Sequence, residues 1–424
     1  MLTKSMVKCA LAAISSIAVC ILLVAISGCT KDAPVAGTAS VNPAAGLDKH
    51  GLPMLAQVNL VADNSSFAPK VVDAGLTNAW GIAATPTGRI WISANHSGLS
   101  VIYDTAGNLV RPPVTIPSEA SSTGGAPTGA LFNPTTQFVV PGTSEVSHFI
   151  FASEDGIISA WSSGSGAKIA ADRSSFDAVY KGIAMALNGS HHFLYATNFK
   201  GAKVDVFDEQ FNYDSTFSFK DPGIPAGFAP FNIQNIGGNL FVTYAMQKGP
   251  DNEDDQAGPG FGYVDIYRPD GSLIRRFASG GTLNSPWGLE RVPSEGFGRL
   301  NGAILVGNFG DGRINAFQRS GEFIGQLSDV QGNPVFISGL WALSFVGAQA
   351  RVDSVGHEGD NEDGDQHDGD GGDGGGDGQG EDGGHQQTQI GNATLEMVVT
   401  PRLFFTAGPN DESDGIFGYL KGVR

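Results

Sequence analysis

Asn95, Glu154, Asn198 and Asn308 each close a short apolar run, as in Ile90-Trp91-Ile92-Ser93-Ala94-Asn95 and Phe193-Leu194-Tyr195-Ala196-Thr197-Asn198. Carboxylate and amide oxygens are the donors a hard cation such as calcium prefers. Four of them at equivalent positions make a candidate ligand or metal site, provided the fold brings them to one place. Trp80, Trp287 and Trp341 sit in phrases of their own and would supply aromatic walls to the same site. Asn also builds turns and tolerates left-handed backbone, so a purely structural use of these residues stays open. A second acidic group, Asp251-Asn252-Glu253-Asp254-Asp255, offers Asp251, Glu253 and Asp255 as cation ligands, or as a solvated loop. Crowded carboxylates repel, so they are either well hydrated or neutralised.

Other chemistries find no support. There is no Gly-x-Ser-x-Gly elbow and no His-Glu-x-x-His. No Gly-rich loop opens a helix that would hold a phosphate. His96, His148, His191 and His192 lack a triad-like context. A net charge of -18 disfavours nucleic acid, whose backbone needs a basic stripe.

The elements that must position these residues repeat. Trp80-Gly81-Ile82-Ala83, Thr128-Gly129-Ala130, Lys181-Gly182-Ile183-Ala184 and Trp287-Gly288-Leu289 share one phrase, a small or aromatic residue followed by Gly and apolar residues. Phe231-Asn232-Ile233 and Leu340-Trp341-Ala342 are looser copies. Counted from Gly81 through Gly129, Gly182, Asn232, Gly288 and Trp341, the steps are 48, 53, 50, 56 and 53 residues. After each anchor come an apolar strand, a polar turn and another apolar strand. A strand-built period near 50 residues indicates propeller blades of four strands each. Six copies predict an all-β, six-bladed β-propeller in a single domain. The last copy runs out near Leu420, before an outer strand of its own. Val58-Asn59-Leu60-Val61-Ala62 has no blade of its own. This N-terminal strand is expected to close the last blade, because an open edge would leave a row of unpaired backbone groups. The ends of the second strands, hence Asn95, Glu154, Asn198 and Asn308, would then face one mouth of the central channel.

Several stretches resemble uncharacterised bacterial secreted β-propellers with NHL-like repeats. They include Asn78-Ala79-Trp80-Gly81-Ile82-Ala83, Phe149-Ile150-Phe151-Ala152-Ser153-Glu154-Asp155-Gly156, Gly307-Asn308-Phe309-Gly310-Asp311-Gly312 and Thr406-Ala407-Gly408-Pro409-Asn410. The resemblance runs from about Gln57 to the carboxyl end. It implies a fold and export, and brings no reaction with it. In calcium-dependent lactonases of similar architecture, side-chain oxygens on the propeller axis hold the metal, which makes calcium the expected cation here.

The amino terminus reads as a targeting segment. Lys4 and Lys8 precede the uncharged run from Ala10 to Ile26, which ends in Ile26-Ser27-Gly28-Cys29. The run ends in small residues of the kind signal peptidases cut beside. This ending resembles the bacterial lipobox, so residues 1–28 are expected to be a lipoprotein signal peptide and Cys29 the lipidated first residue of the mature chain. Residues 29–55 would be a flexible tether and residues 56–424 the propeller. Thr30 rather than Asp after Cys29 points to the outer membrane. A Gly-, Asp- and His-rich insertion at about 352–394 breaks the last blade. Twelve acids lie between Asp353 and Asp382, and without them the rest of the chain carries only -6. That composition cannot bury apolar surface, so a disordered loop is expected. Together these readings give a lipid-anchored extracytoplasmic propeller that binds a small molecule or a protein at its channel mouth. A calcium-dependent hydrolase or lyase at the same mouth is the alternative.

Overall fold

A computed structural model describes residues 46–346 and 401–423; the expected signal peptide, Cys29, residues 29–45 of the expected tether and the acidic insertion at about 352–394 lie outside them. Six sheets surround one axis: five are antiparallel, with four strands that run outward from the channel in chain order, and the sixth has six strands and combines early and late segments of the chain. Blade 1 is Ala79–Ala84, Ile90–Ala94, Leu99–Tyr103 and Val114–Thr115. Blade 2 is Pro127–Phe132, Phe149–Ser153, Ile157–Trp161 and Lys168–Asp172. Blade 3 starts with Tyr180–Asn188 and His191–Asn198, blade 4 with Phe228–Ile236 and Asn239–Met246, and blade 5 with Pro286–Arg291 and Ile304–Asn308. Blade 6 contains Leu340–Ser344, Leu403–Ala407 and Ile416–Gly422 from the end of the chain. Its outer strand is Met54–Ala62, antiparallel to Ile416–Gly422 with Leu55 opposite Gly422 and Ala62 opposite Ile416.

Ring closure therefore occurs as expected, with a longer strand. It begins at Met54, two residues ahead of the expected boundary at 56, and Leu52 before it is buried at 1 % exposure. Two short strands, Val71–Val72 and Ser328–Asp329, pair parallel to its two ends. Leu52 and Leu55 join the apolar layer between blades 5 and 6, and Leu60 and Val61 join the layer between blades 6 and 1.

The recurring Gly has a steric cause. The inner strand of every blade carries a register irregularity at its anchor: Ala79/Ile82, Pro127/Ala130, Tyr180/Ile183, Pro230/Asn232, Pro286/Gly288 and Leu340/Leu343. At that bulge the strand bends against the inner strand of the next blade. A Cβ on Gly81 would lie 2.4 Å from the Thr128 carbonyl oxygen, one on Gly129 2.8 Å from the Ile183 nitrogen, and one on Gly288 2.8 Å from the Trp341 carbonyl oxygen. Blade-to-blade contact at the axis leaves no room for a side chain. Where Gly is replaced, a polar bridge takes over: Asn232 Nδ2 donates to the Trp287 carbonyl at 2.7 Å. Threonines of the second strands accept from the bulged amides, Thr197 from Gly182 at 2.7 Å, Thr243 from Asn232 at 2.9 Å and Thr406 from Ala342 at 3.1 Å. The last anchor is thus Ala342, one residue beyond Trp341. Trp341 matches Trp287, and both precede their anchor.

Candidate functional site

The residues that precede the six anchors are Trp80, Thr128, Lys181, Phe231, Trp287 and Trp341. The period-2 pleat turns all of them to one face of their strands. Four aromatics fill the channel. Trp80 and Trp341 pack with ring centroids 3.9 Å apart, Trp80 and Trp287 6.2 Å, and Phe309 stacks on Trp341 at 3.9 Å. Trp80, Trp287 and Trp341 are at most 4 % exposed. They form a packed, buried aromatic plug.

The anchor neighbour of blade 3 is a cation. Lys181 is buried, and its ammonium lies 5.1 Å from the Trp80 ring centroid. It forms a short hydrogen-bonded ion pair with Glu154 Oε1 and stands 3.6 Å from Asp254. The other oxygen of Glu154 accepts from Asn95 Nδ2 at 2.9 Å. Burial pushes the Glu154 carboxyl up, but the Lys181 charge and the Asn95 hydrogen bond more than offset it and hold it below the usual carboxylate range. Burial likewise works against the Lys181 ammonium, and Glu154 outweighs it.

Asn78 joins this pair to the carboxyl end of the chain. It adopts left-handed backbone at φ 49° and is fully buried. Its Oδ1 accepts from the Trp341 indole at 3.0 Å, and its Nδ2 donates to Glu412 Oε2 at 2.6 Å. Glu412 ends a run of three left-handed residues, Asn410, Asp411 and Glu412, with φ of 56°, 53° and 65°. Such backbone costs on the order of 1–3 kcal/mol per residue and persists where the surroundings dictate it. Here it turns Glu412 back over the mouth. Burial is the main cause that pushes the Glu412 carboxyl up to about 7; Asn78 and Lys181 oppose it, while Glu154 and Asp254 add to it.

This shift has a stability consequence with a defined sign. Between pH ~4.5 and ~7 the native protein holds a proton at Glu412 that the unfolded chain has released, so stability falls as pH rises through that window. Glu412→Gln should remove this slope and stabilise the protein above pH 7. The gain should be on the order of 1–2 kcal/mol once the partial exposure of the group is discounted. Urea unfolding at pH 5 and pH 8 measures it, and an unchanged pH dependence in the variant would contradict the assignment.

The four strand-end residues divide in two. Asn95 and Glu154 meet at the mouth. Asn198 spends its amide on Asp205 Oδ2 at 3.0 Å and accepts from the Gly201 amide at 2.9 Å. Asn308 donates to the Thr282 carbonyl at 2.7 Å and to Asp311 Oδ1 at 3.0 Å. Their bonds stay local to blades 3 and 5. In the acidic loop, Asp251 is exposed and Glu253 pairs with Lys200 at 2.8 Å. Asp255 is half-buried, and burial raises its carboxyl. Asp254, which the sequence reading passed over, is the loop residue nearest Lys181. Among the described residues no three His, Cys, Asp or Glu side chains are grouped as a metal site. Beside Glu154, which Asn95 also contacts, the chain places the ammonium of Lys181.

Lys181, Asn78 and Glu412 were missed by sequence reasoning. Lys181 did leave a signal, because it holds a position that Trp or Phe fills in blades 1, 4, 5 and 6. A cation in an otherwise apolar register demands a buried partner.

No family model matches the chain. The uncharacterised protein R648 of Acanthamoeba polyphaga mimivirus is 34 % identical over 301 residues, which are 68 % of this chain and 73 % of that protein. The uncharacterised protein L690 of the same virus is 31 % identical over 305 residues, 68 % of this chain and 78 % of that protein. These relatives are viral, whereas the sequence resemblance had suggested a bacterial family. Among solved structures, virginiamycin B lyase from Staphylococcus aureus is similar with a TM-score of 0.43 and 13 % identity, over 87 % of this chain and 99 % of that one. A streptogramin B lyase gives 0.45 and 11 %, over 87 % and 97 %.

Proposed function

We propose that this chain, which belongs to the same family as the mimivirus proteins R648 and L690, uses the acidic mouth of its channel to bind a small cationic ligand. One observation carries this reading: Glu154, Asp254 and Glu412 all act on a single buried ammonium, Lys181. One ammonium faces three carboxyl groups, so acid exceeds base at the mouth once Glu412 is ionised, and the aromatic plug lies beneath them. An amine or guanidinium that donates hydrogen bonds complements such a mouth.

Spermidine is a suitable probe. Isothermal titration calorimetry should give saturable binding with one ligand per chain, weakened at least tenfold by Glu412→Gln or by 0.5 M salt. At a hundredfold excess over Kd the protein should gain about 2.7 kcal/mol of stability. Absence of binding, or binding indifferent to the Glu412 change, would refute the proposal.

Acid–base catalysis at the same mouth is the second reading. It is favoured by the divergence of two carboxyls, Glu412 raised to about 7 and Glu154 held ionised, the pattern by which a site separates an acid from a base. In that case the protein is a hydrolase or lyase, and Glu412 is the proton donor.

The anchoring proposal rests on the lipobox-like Ile26-Ser27-Gly28-Cys29. It places lipid on Cys29 and the propeller, with its NHL-like repeats, on the extracytoplasmic side of a membrane, the outer one by the Thr30 criterion. Labelled palmitate should enter the wild-type chain and not Cys29→Ser. Incorporation that survives the substitution would remove the anchor from the account.

A further inference from the structure

A cleft of about 220 Å³ lies between blades 4 and 5, on the face of the disc opposite the mouth. It sits beside the 237–238 turn, where the inner strand Phe228–Ile236 ends, whereas the mouth lies where the inner strands begin. Three guanidinium groups line it, Arg275, Arg291 and Arg319, and no carboxylate does. None of the three forms an ion pair among the described residues. In a chain of net charge -18, where acids outnumber bases 43 to 25, three unpaired arginines in one cleft are conspicuous.

Arg275 is held in place by the neighbouring blade. Its Nη1 donates to the Ser320 carbonyl at 2.8 Å and its Nη2 to the Arg319 carbonyl at 2.7 Å. That contact fixes one guanidinium against the turn that carries Arg319, before any ligand arrives. Apart from Gly237 and Asn239, the rest of the lining is apolar. Ile266 is buried, Ile304 is buried, and Ile274 remains 39 % exposed. A cationic rim above an isoleucine floor asks for a ligand with two ends.

We propose that this cleft binds a phosphate monoester carrying an apolar tail. The phosphate fits because guanidinium forks match its oxygens in paired hydrogen bonds. The tail fits because Ile274 and its neighbours lose water only if something apolar covers them. The ligand can be a soluble ester or the phosphomonoester headgroup of phosphatidic acid, and both present the same chemistry. The proposal is independent of the mouth, which is acidic and lies on the other face.

Calorimetry of the full chain with hexyl phosphate tests it, with inorganic phosphate and hexanol as partial ligands. Hexyl phosphate should bind saturably, at least tenfold tighter than inorganic phosphate, and hexanol should give no saturable heat. The variant Arg291→Gln/Arg319→Gln should lose at least tenfold. Neither side chain has a hydrogen-bond or ion-pair partner among the described residues, so the melting temperature of the variant should match wild type. Arg89→Gln, on the same face but outside the cleft, should bind as wild type does. A second arm compares sedimentation of wild type and variant with phosphatidylcholine vesicles that contain phosphatidic acid, whose headgroup is a phosphate monoester. A difference between them assigns the site to lipid, and equal sedimentation assigns it to a soluble ester. No saturable binding of hexyl phosphate, equal binding by the double variant, or inorganic phosphate as tight as the ester would overturn the proposal.

Discussion

A chain that begins at Asp63 is expected to lose most of its cooperative stability. It lacks Met54–Ala62, the outer strand of blade 6, and so leaves Ile416–Gly422 with an unpaired edge. Leu55, Leu60 and Val61 lie on that strand and are at most 4 % exposed. Each fully buried side chain of this kind contributes roughly 1.5–3 kcal/mol, so the three together amount to several kcal/mol. That is a large fraction of a typical total of about 5–15 kcal/mol. The missing strand also stops joining the first residues of the propeller to the last, and the parallel pairing with Ser328–Asp329 disappears. A chain that begins at Gln57 should fall between wild type and the larger truncation, because Leu52 and Leu55 go with the removed residues. Thermal melts and size-exclusion chromatography of the three chains read the order directly. If the Asp63 chain melted as wild type does, the closed ring would be wrong.

Lys181→Met is expected to be the most damaging single substitution at the mouth. The ammonium is 3 % exposed and compensates the carboxylate of Glu154. Removing one partner of a buried pair leaves an unpaired charge and costs about 3–5 kcal/mol. Glu154 can escape only by taking up a proton, so the loss should shrink at low pH. The double variant Lys181→Met/Glu154→Gln should recover much of it, because no charge is then stranded. Urea denaturation midpoints of the two single variants and the double variant measure the coupling. Additive losses would show that the two residues do not form a pair.

How much of this was legible depends on what repeated. The six anchors recur in sequence because each inner strand meets its neighbour at the axis, and the same crowding recurs six times. Blade number and ring closure therefore followed from the chain alone. The steric reason for Gly81, Gly129 and Gly288 did not, since it lies in the neighbouring blade's backbone. The ring of four strand-end residues was read as equivalent, but their neighbours differ. Asp205 and Asp311 capture the amides of Asn198 and Asn308, and no acid beside Asn95 does the same. Asn95 is left to reach Glu154. Lys181 was visible as the exception in an aromatic register. Glu412 carried no periodic signal at all, because three successive left-handed residues bring it over the mouth from a loop. A single sequence does not announce such a backbone path when none of the three is Gly.

The central claim is that Glu412 is a proton-holding carboxyl in an acidic mouth that accepts a cation. Carbon-13 NMR of the Glu412 side-chain carboxyl, titrated with and without spermidine, tests it most directly. The account predicts a midpoint near 7 in the free protein, moved downward by spermidine because a bound cation favours the ionised form. A midpoint near 4.5, the ordinary glutamate value, that spermidine leaves unchanged would contradict it.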